Sequence, residues 1–176
     1  MVQVAPARVW TFWLLTALAG VGLVAGVEGL LRFVPGLGPA PLVEVRAELG
    51  DKSLHAVNRL YSQRFFFAQW GRLTAAGQMA ERSFFTPAPA NLYRIVFVGA
   101  STVQGFPHPR RLAAASFLEA MLQDAMPDRV VEVFNLGITS IASFAVAQVV
   151  EDALVLEPDL VVVYTGHNEF YGIYGV

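Results

Sequence analysis

Three short apolar runs, each ending in a small polar cluster, constrain this chain more than any other feature. The first, Arg94–Val98, is followed by Gly99-Ala100-Ser101. The second, Val130–Phe134, runs into Asn135-Leu136-Gly137, and the third, Leu160–Tyr164, runs into Gly166-His167-Asn168-Glu169. A continuous β-branched and aromatic run leaves no polar face for water, so each reads as a strand buried on both sides. Between them lie two segments of helical character. Leu112, Ala115, Leu118, Met121, Leu122 and Ala125 follow helical spacing from Leu112 to Met126, and Pro127 stops the run. A second helix is expected over Ser143 to Leu156, closed by Pro158. Strand, helix, strand, helix, strand implies parallel strands joined by right-handed crossovers. In such open sheets ligands bind outside the carboxyl ends of the strands, where the three polar clusters fall.

Ahead of this region, Val9 to Leu31 is almost wholly apolar, and a helix of roughly 20 such residues crosses a bilayer core. Arg8 and Arg32 bracket it, and Trp10 and Trp13 suit an interfacial belt. Such a run, with a buried sheet, accounts for a chain that is 55% hydrophobic and only 15% charged. Gly22 and Gly26 have the GxxxG spacing of paired helices, a weak signal in so glycine-rich a segment. A cleaved signal peptide has a shorter apolar core and a small-residue cleavage site. No clear site of that kind follows, so an uncleaved single-pass anchor is expected over residues 1–34. A juxtamembrane linker and lead-in occupies 35–91, and the α/β region occupies 92–176. The lead-in opens on the Pro/Gly-rich stretch Pro35–Pro41 and closes on Thr86-Pro87-Ala88-Pro89. Within it, Ser53 to Tyr61 reads as a short helix or turn. Arg64 to Trp70 is aromatic and basic, suited either to lipid headgroups or to inward packing at a domain edge.

The strand ends carry the chemistry. Gly99 lets the backbone turn sharply and Ser101 follows it on a rigid strand, where a hydroxyl becomes a nucleophile if a base reaches it. Gly137 can bring a backbone N–H close to a bound oxygen, and the Asn168 amide is a donor for a developing oxyanion. Singly, Ser, Asn and Gly after strands are ordinary turn and cap residues. Together they place a nucleophile, a backbone donor and an amide donor at one sheet edge, the parts of an acyl-transfer site. His167 and Glu169 are expected to line the substrate pocket. The general base has few candidates, because His55, His108 and His167 are the only histidines. His108 lies between Pro107 and Pro109 as a loop residue, and His167 adjoins Asn168.

Other classes are excluded or unsupported. A net charge of -2 offers no basic surface for nucleic acid. The absence of cysteine excludes disulfides, thiolate metal sites and a cysteine nucleophile, and no metal or cofactor is expected. Gly99 to Gly105 matches neither the GxGxxG fingerprint nor a GK[ST] phosphate loop.

The blocks Gly99-Ala100-Ser101, Asn135-Leu136-Gly137 and Gly166-His167-Asn168 resemble the first three sequence blocks of the SGNH/GDSL hydrolase family. The resemblance implies a three-layer α/β/α flavodoxin-like sandwich and an esterase, lipase, carbohydrate deacetylase or acyltransferase activity. It matches Ser101 to the nucleophile, and Gly137, Asn168 and the Ser101 N–H to the oxyanion donors. Gly-His-Asn-Glu-Phe-Tyr-Gly is similar to a bacterial membrane-anchored subgroup, which implies an extracytoplasmic, periplasmic domain acting on an ester or acetyl group, glycan- or lipid-linked. The resemblance covers about Leu92 to Tyr171. Two departures stand out. Ala100 occupies the position where the family has Asp, and the last block, an Asp and a His three residues apart, is not found before Val176. The expectation is therefore the opening part of such a hydrolase, its sheet completed by further chain or by a partner. The alternative is a non-catalytic membrane-anchored binding or assembly module with a remnant site.

Overall fold

The computed structural model describes residues 6–33, 39–66 and 79–170 and divides into two compact units, Met1–Pro39 and Ala40–Val176. Most of the Pro35–Pro41 linker and the segment Phe67 to Trp70 lie outside the described residues.

The first unit is one helix, α1 (Pro6–Arg32). Its segment Val9–Leu31 is 23 residues long with mean hydropathy 1.9 and no part of it buried by protein. It is the one helix among the described residues long and apolar enough to cross a membrane. The hydroxyl of Thr16 donates back to Phe12 O at 2.9 Å, so this polar side chain is satisfied within the helix.

The second unit opens with an antiparallel meander of β1 (Val43–Leu49), β2 (Lys52–Val57) and β3 (Ser83–Thr86), in the order β1-β2-β3. This corrects the expectation of a helix or turn over Ser53 to Tyr61. The segment is a strand as far as Val57, and a 3-10 turn follows over Tyr61–Phe65. Its partners on β3, such as Phe84 opposite His55, lie far along the chain, and that pairing overrides the local pattern. Phe65 and Phe66 pack against the core, so the described part of the aromatic stretch is turned inward.

The α/β region follows the expected order. It comprises β4 (Leu92–Gly99), the one-turn helix α2 (Ser101–Gln104), α3 (Ala114–Ala125), β5 (Val130–Gly137), α4 (Ser143–Ala153) and β6 (Leu160–Tyr164). The parallel sheet has the order β5-β4-β6, with β4 central. Alternation along β4 and β5 divides the core. Val96, Val98, Phe134 and Leu136 face α4 and the meander, packing with Val57, Tyr61, Phe84, Val146 and Val149. Ile95, Val131 and Val133 form a second cluster with Ala115, Leu118 and Leu122 of α3. The sheet therefore lies between helical layers, as expected for strands apolar on both faces. It is a mixed α/β fold with a parallel sheet, and the meander shares its larger core.

The two edges of the sheet differ. On β5, Val131 N–H donates to Gln123 Oε1 at 3.0 Å and Val133 N–H to Glu119 Oε2 at 2.7 Å. Arg82 donates to Val133 O at 3.1 Å and pairs with Glu119. Side chains thus occupy the outward backbone groups that an incoming strand would need. On β6 no such cover is found among the described residues, and Val163 and Tyr164 are half exposed.

Two polar networks lock the unit. Arg94, 4% exposed, stacks between Phe84 and Phe134, pairs with Glu132 at 2.9 Å and donates to Leu156 O at 2.5 Å. Arg64 donates to Asp152 at 2.7 Å and to Ala40 O at 2.7 Å, while Tyr61 donates its hydroxyl to Asp152 at 2.8 Å. Burial and the Asp152 carboxylate hold the Tyr61 phenol well above the usual tyrosine range, so it remains a donor. Removing Glu132 leaves the Arg94 charge buried without its carboxylate. Glu132→Ala is expected to lower stability by about 3 kcal/mol, and the paired replacement of Arg94 by Met and Glu132 by Leu by clearly less. Urea unfolding of the three proteins measures the difference.

Candidate active site at the carboxyl end of the sheet

The site begins with register. Gly99 lies opposite Gly137 on one side and Tyr164 on the other, so the carboxyl ends of all three strands are level. A Cβ on Gly99 would fall on Tyr164 O, and one on Gly137 would fall on Gln104 N. The two missing side chains make the floor on which α2 sits. Ser101 is the first residue of that helix, directly beyond the buried Ala100, and the turn closes with Gly105 N–H donating to Ser101 O at 3.0 Å. Ser101 is partly exposed.

Asn135 ties this turn to β5. Its Nδ2 donates to Val103 O at 2.8 Å, and its Oδ1 accepts from Gly137 N–H at 3.0 Å. The Gly137 N–H, expected to face a bound oxygen, is thus engaged inside the protein, and close packing under Gln104 accounts for the glycine. The sequence offered Asn135 only as a turn former; its bridging role depends on a residue 32 positions away. Gln104 is buried and also receives the Thr139 hydroxyl. Ser140, in the loop after β5, holds φ at 67°, a left-handed conformation costing a non-glycine residue roughly 1–2 kcal/mol. Backbone strain of this sort clusters at functional sites. A serine carries no sequence signal for it.

The loop after β6 reaches the same place. His167 Nε2 lies 3.5 Å from Thr102 Oγ1, at the outer limit of a hydrogen bond, so His167 stands beside the helix that starts at Ser101. Asn168 Nδ2 donates to Ile141 O at 2.8 Å. An amide nitrogen carries two hydrogens, so this bond uses one of the two. Glu169 accepts from Ser143 N–H at 2.7 Å and from Ser143 Oγ at 2.9 Å, pointing its carboxylate at the start of α4.

The structure therefore brings Ser101, His167 and Asn168 to one edge. The other two histidines lie apart. His55 stacks on Phe84 and bonds Thr86 Oγ1 at 2.8 Å within the meander, and His108 is exposed in the loop after α2. Asn135 also lines a cleft of about 270 Å³ in which Arg82, Arg110 and Arg111 are set against Glu81 and Glu119. Among the described residues no group of three or more His, Asp or Glu side chains is placed to hold a metal ion.

No family model and no curated protein matches the chain. Among solved structures it is similar to AlinE4, an SGNH-hydrolase family esterase, at 21% identity and a TM-score of 0.40. The match covers 49% of this chain and 47% of that one, about half the esterase's length.

Any side chain at position 137 forces α2 off the sheet end. Gly137→Ala is expected to cost about 3 kcal/mol, the upper part of the range for overpacking. The check is a lower urea midpoint with an unchanged slope.

Proposed function

We propose that this chain carries the acyl-transfer site of a membrane-anchored serine hydrolase or acyltransferase of the SGNH/GDSL type. Its substrate class is an ester or acetyl group, glycan- or lipid-linked. The observation that carries the reading is Ser101 at the first turn beyond the central strand, with His167 Nε2 3.5 Å from Thr102 of that turn and Asn168 next to His167 in the loop after the neighbouring strand. The first three blocks of the family, in order, support the same assignment.

In this reading the Ser101 Oγ attacks the acyl carbonyl as its proton passes to a base, and an acyl-serine forms as the alcohol leaves with a proton. Water or a second alcohol then takes the acyl group, which divides hydrolysis from transfer. The Ser101 N–H and the second hydrogen of the Asn168 amide serve the oxyanion. His167 is the histidine that stands beside this helix. The helix Val9–Leu31 anchors the protein by a single pass and holds the second unit outside the cytoplasm.

A second reading has its own observation. Gly137 N–H and Asn168 Nδ2 both donate within the protein, as they would in a remnant site kept by a binding or assembly module.

A fluorophosphonate probe separates the two. Covalent labelling and hydrolysis of p-nitrophenyl acetate, both abolished by Ser101→Ala with a loss of at least about a thousandfold, are expected of the hydrolase. A wild-type protein that is neither labelled nor active leaves the binding module. Orientation is tested separately. The chain has no cysteine, so an exposed Gln148→Cys on α4 reports its own side of the membrane. Labelling by a membrane-impermeant maleimide on intact spheroplasts is expected; labelling only after lysis reverses the topology.

A further inference from the structure

We propose that Glu169 is a positioning residue of this site and makes no contact with substrate: it clamps the loop after β6 to the start of α4. The inference rests on the reading of Ser101 as nucleophile. In the sheet order β5-β4-β6, the strands β5 and β6 flank β4 and so lie about 10 Å apart. Their following loops must meet across the end of β4 to enclose Ser101, and three hydrogen bonds from two consecutive residues join them there. Glu169 Oε1 accepts from Ser143 N–H at 2.7 Å and Oε2 from Ser143 Oγ at 2.9 Å. Asn168 Nδ2 donates to Ile141 O at 2.8 Å. Both carboxylate oxygens are thus committed to the protein.

The clamp also fills a gap in α4. Its N-cap position is Ala142, whose side chain cannot accept a hydrogen bond, so the first turn lacks a cap of its own. Glu169 supplies the acceptor from 26 residues away, with a negative charge where the helix dipole favours one. Breaking the clamp frees the loop that carries His167 and Asn168, and a displacement of about 1 Å at a reacting group costs rate far more than binding.

The test uses the full chain in detergent micelles, with p-nitrophenyl acetate as substrate and amide hydrogen exchange as a second readout. Glu169→Ala is expected to lower kcat about ten- to a hundredfold with KM held within about twofold. Ser143→Ala, which removes one hydroxyl, should lower it in the same sense by less, and the double variant should be no worse than Glu169→Ala alone. Glu169→Gln keeps an oxygen for the Ser143 N–H and should recover part of the loss. In Glu169→Ala the Ser143 amide should exchange faster. A raised KM with kcat unchanged in Glu169→Ala, and no effect of Ser143→Ala, means that Glu169 touches substrate and overturns the proposal. Unchanged exchange at Ser143 overturns it whatever the kinetics. A wild-type chain without turnover or Ser101 labelling, in which Glu169→Ala still releases the Ser143 amide, upholds the clamp and overturns the nucleophile.

Discussion

Two glycines level with each other on neighbouring strands allow the contact on which this site depends. Backbone meets backbone where Gly137 lies under Gln104 and Gly99 lies against Tyr164 O, so the helix holding Ser101 rests directly on the sheet. The parallel register that aligns Gly99 with Gly137 and Tyr164 is fixed by alternating burial along β4 and β5. A one-residue slip would turn every core side chain to the wrong face and also part the glycines. Packing and site geometry are therefore set by one constraint.

Around that contact the polar groups divide into those that hold the scaffold and those that hold the loops. Arg94 and Glu132 sit toward the amino ends of β4 and β5, away from Ser101, sandwiched by Phe84 and Phe134. Arg64, Tyr61 and Asp152 fasten α4 to the 3-10 turn between β2 and β3. At the opposite end, Asn135 holds α2, and Asn168 with Glu169 holds the loop after β6. A side chain that presents a chemical group can seldom also fix its own backbone, and here neighbouring residues do the fixing.

Much of this was legible in the chain. The β-branched runs, the helical spacing from Ala115 to Ala125 and the stops at Pro127 and Pro158 mark elements whose determinants are local. The meander was not legible in the same way. β2 contains Lys52 and His55, and what makes it a strand is its pairing with β1 and β3. The site divides likewise. Ser101, His167 and Asn168 stand at strand ends and could be singled out, whereas the roles of Asn135 and Glu169 depend on partners 32 and 26 residues away. Gly137 shows the limit of reading a residue by type. The freedom that would bring an N–H to a ligand also lets a helix settle on the strand, and here the helix occupies that space.

The unequal edges of the parallel sheet give it a direction of growth. Gln123, Glu119 and Arg82 close the β5 side, so a further strand can register only along β6. A strand joining there in parallel would end beside the loop that carries His167 and Asn168, two positions from the Ser101 strand. The same asymmetry that keeps the sheet from pairing promiscuously therefore also fixes where further side chains could be supplied: on the flank already holding the histidine.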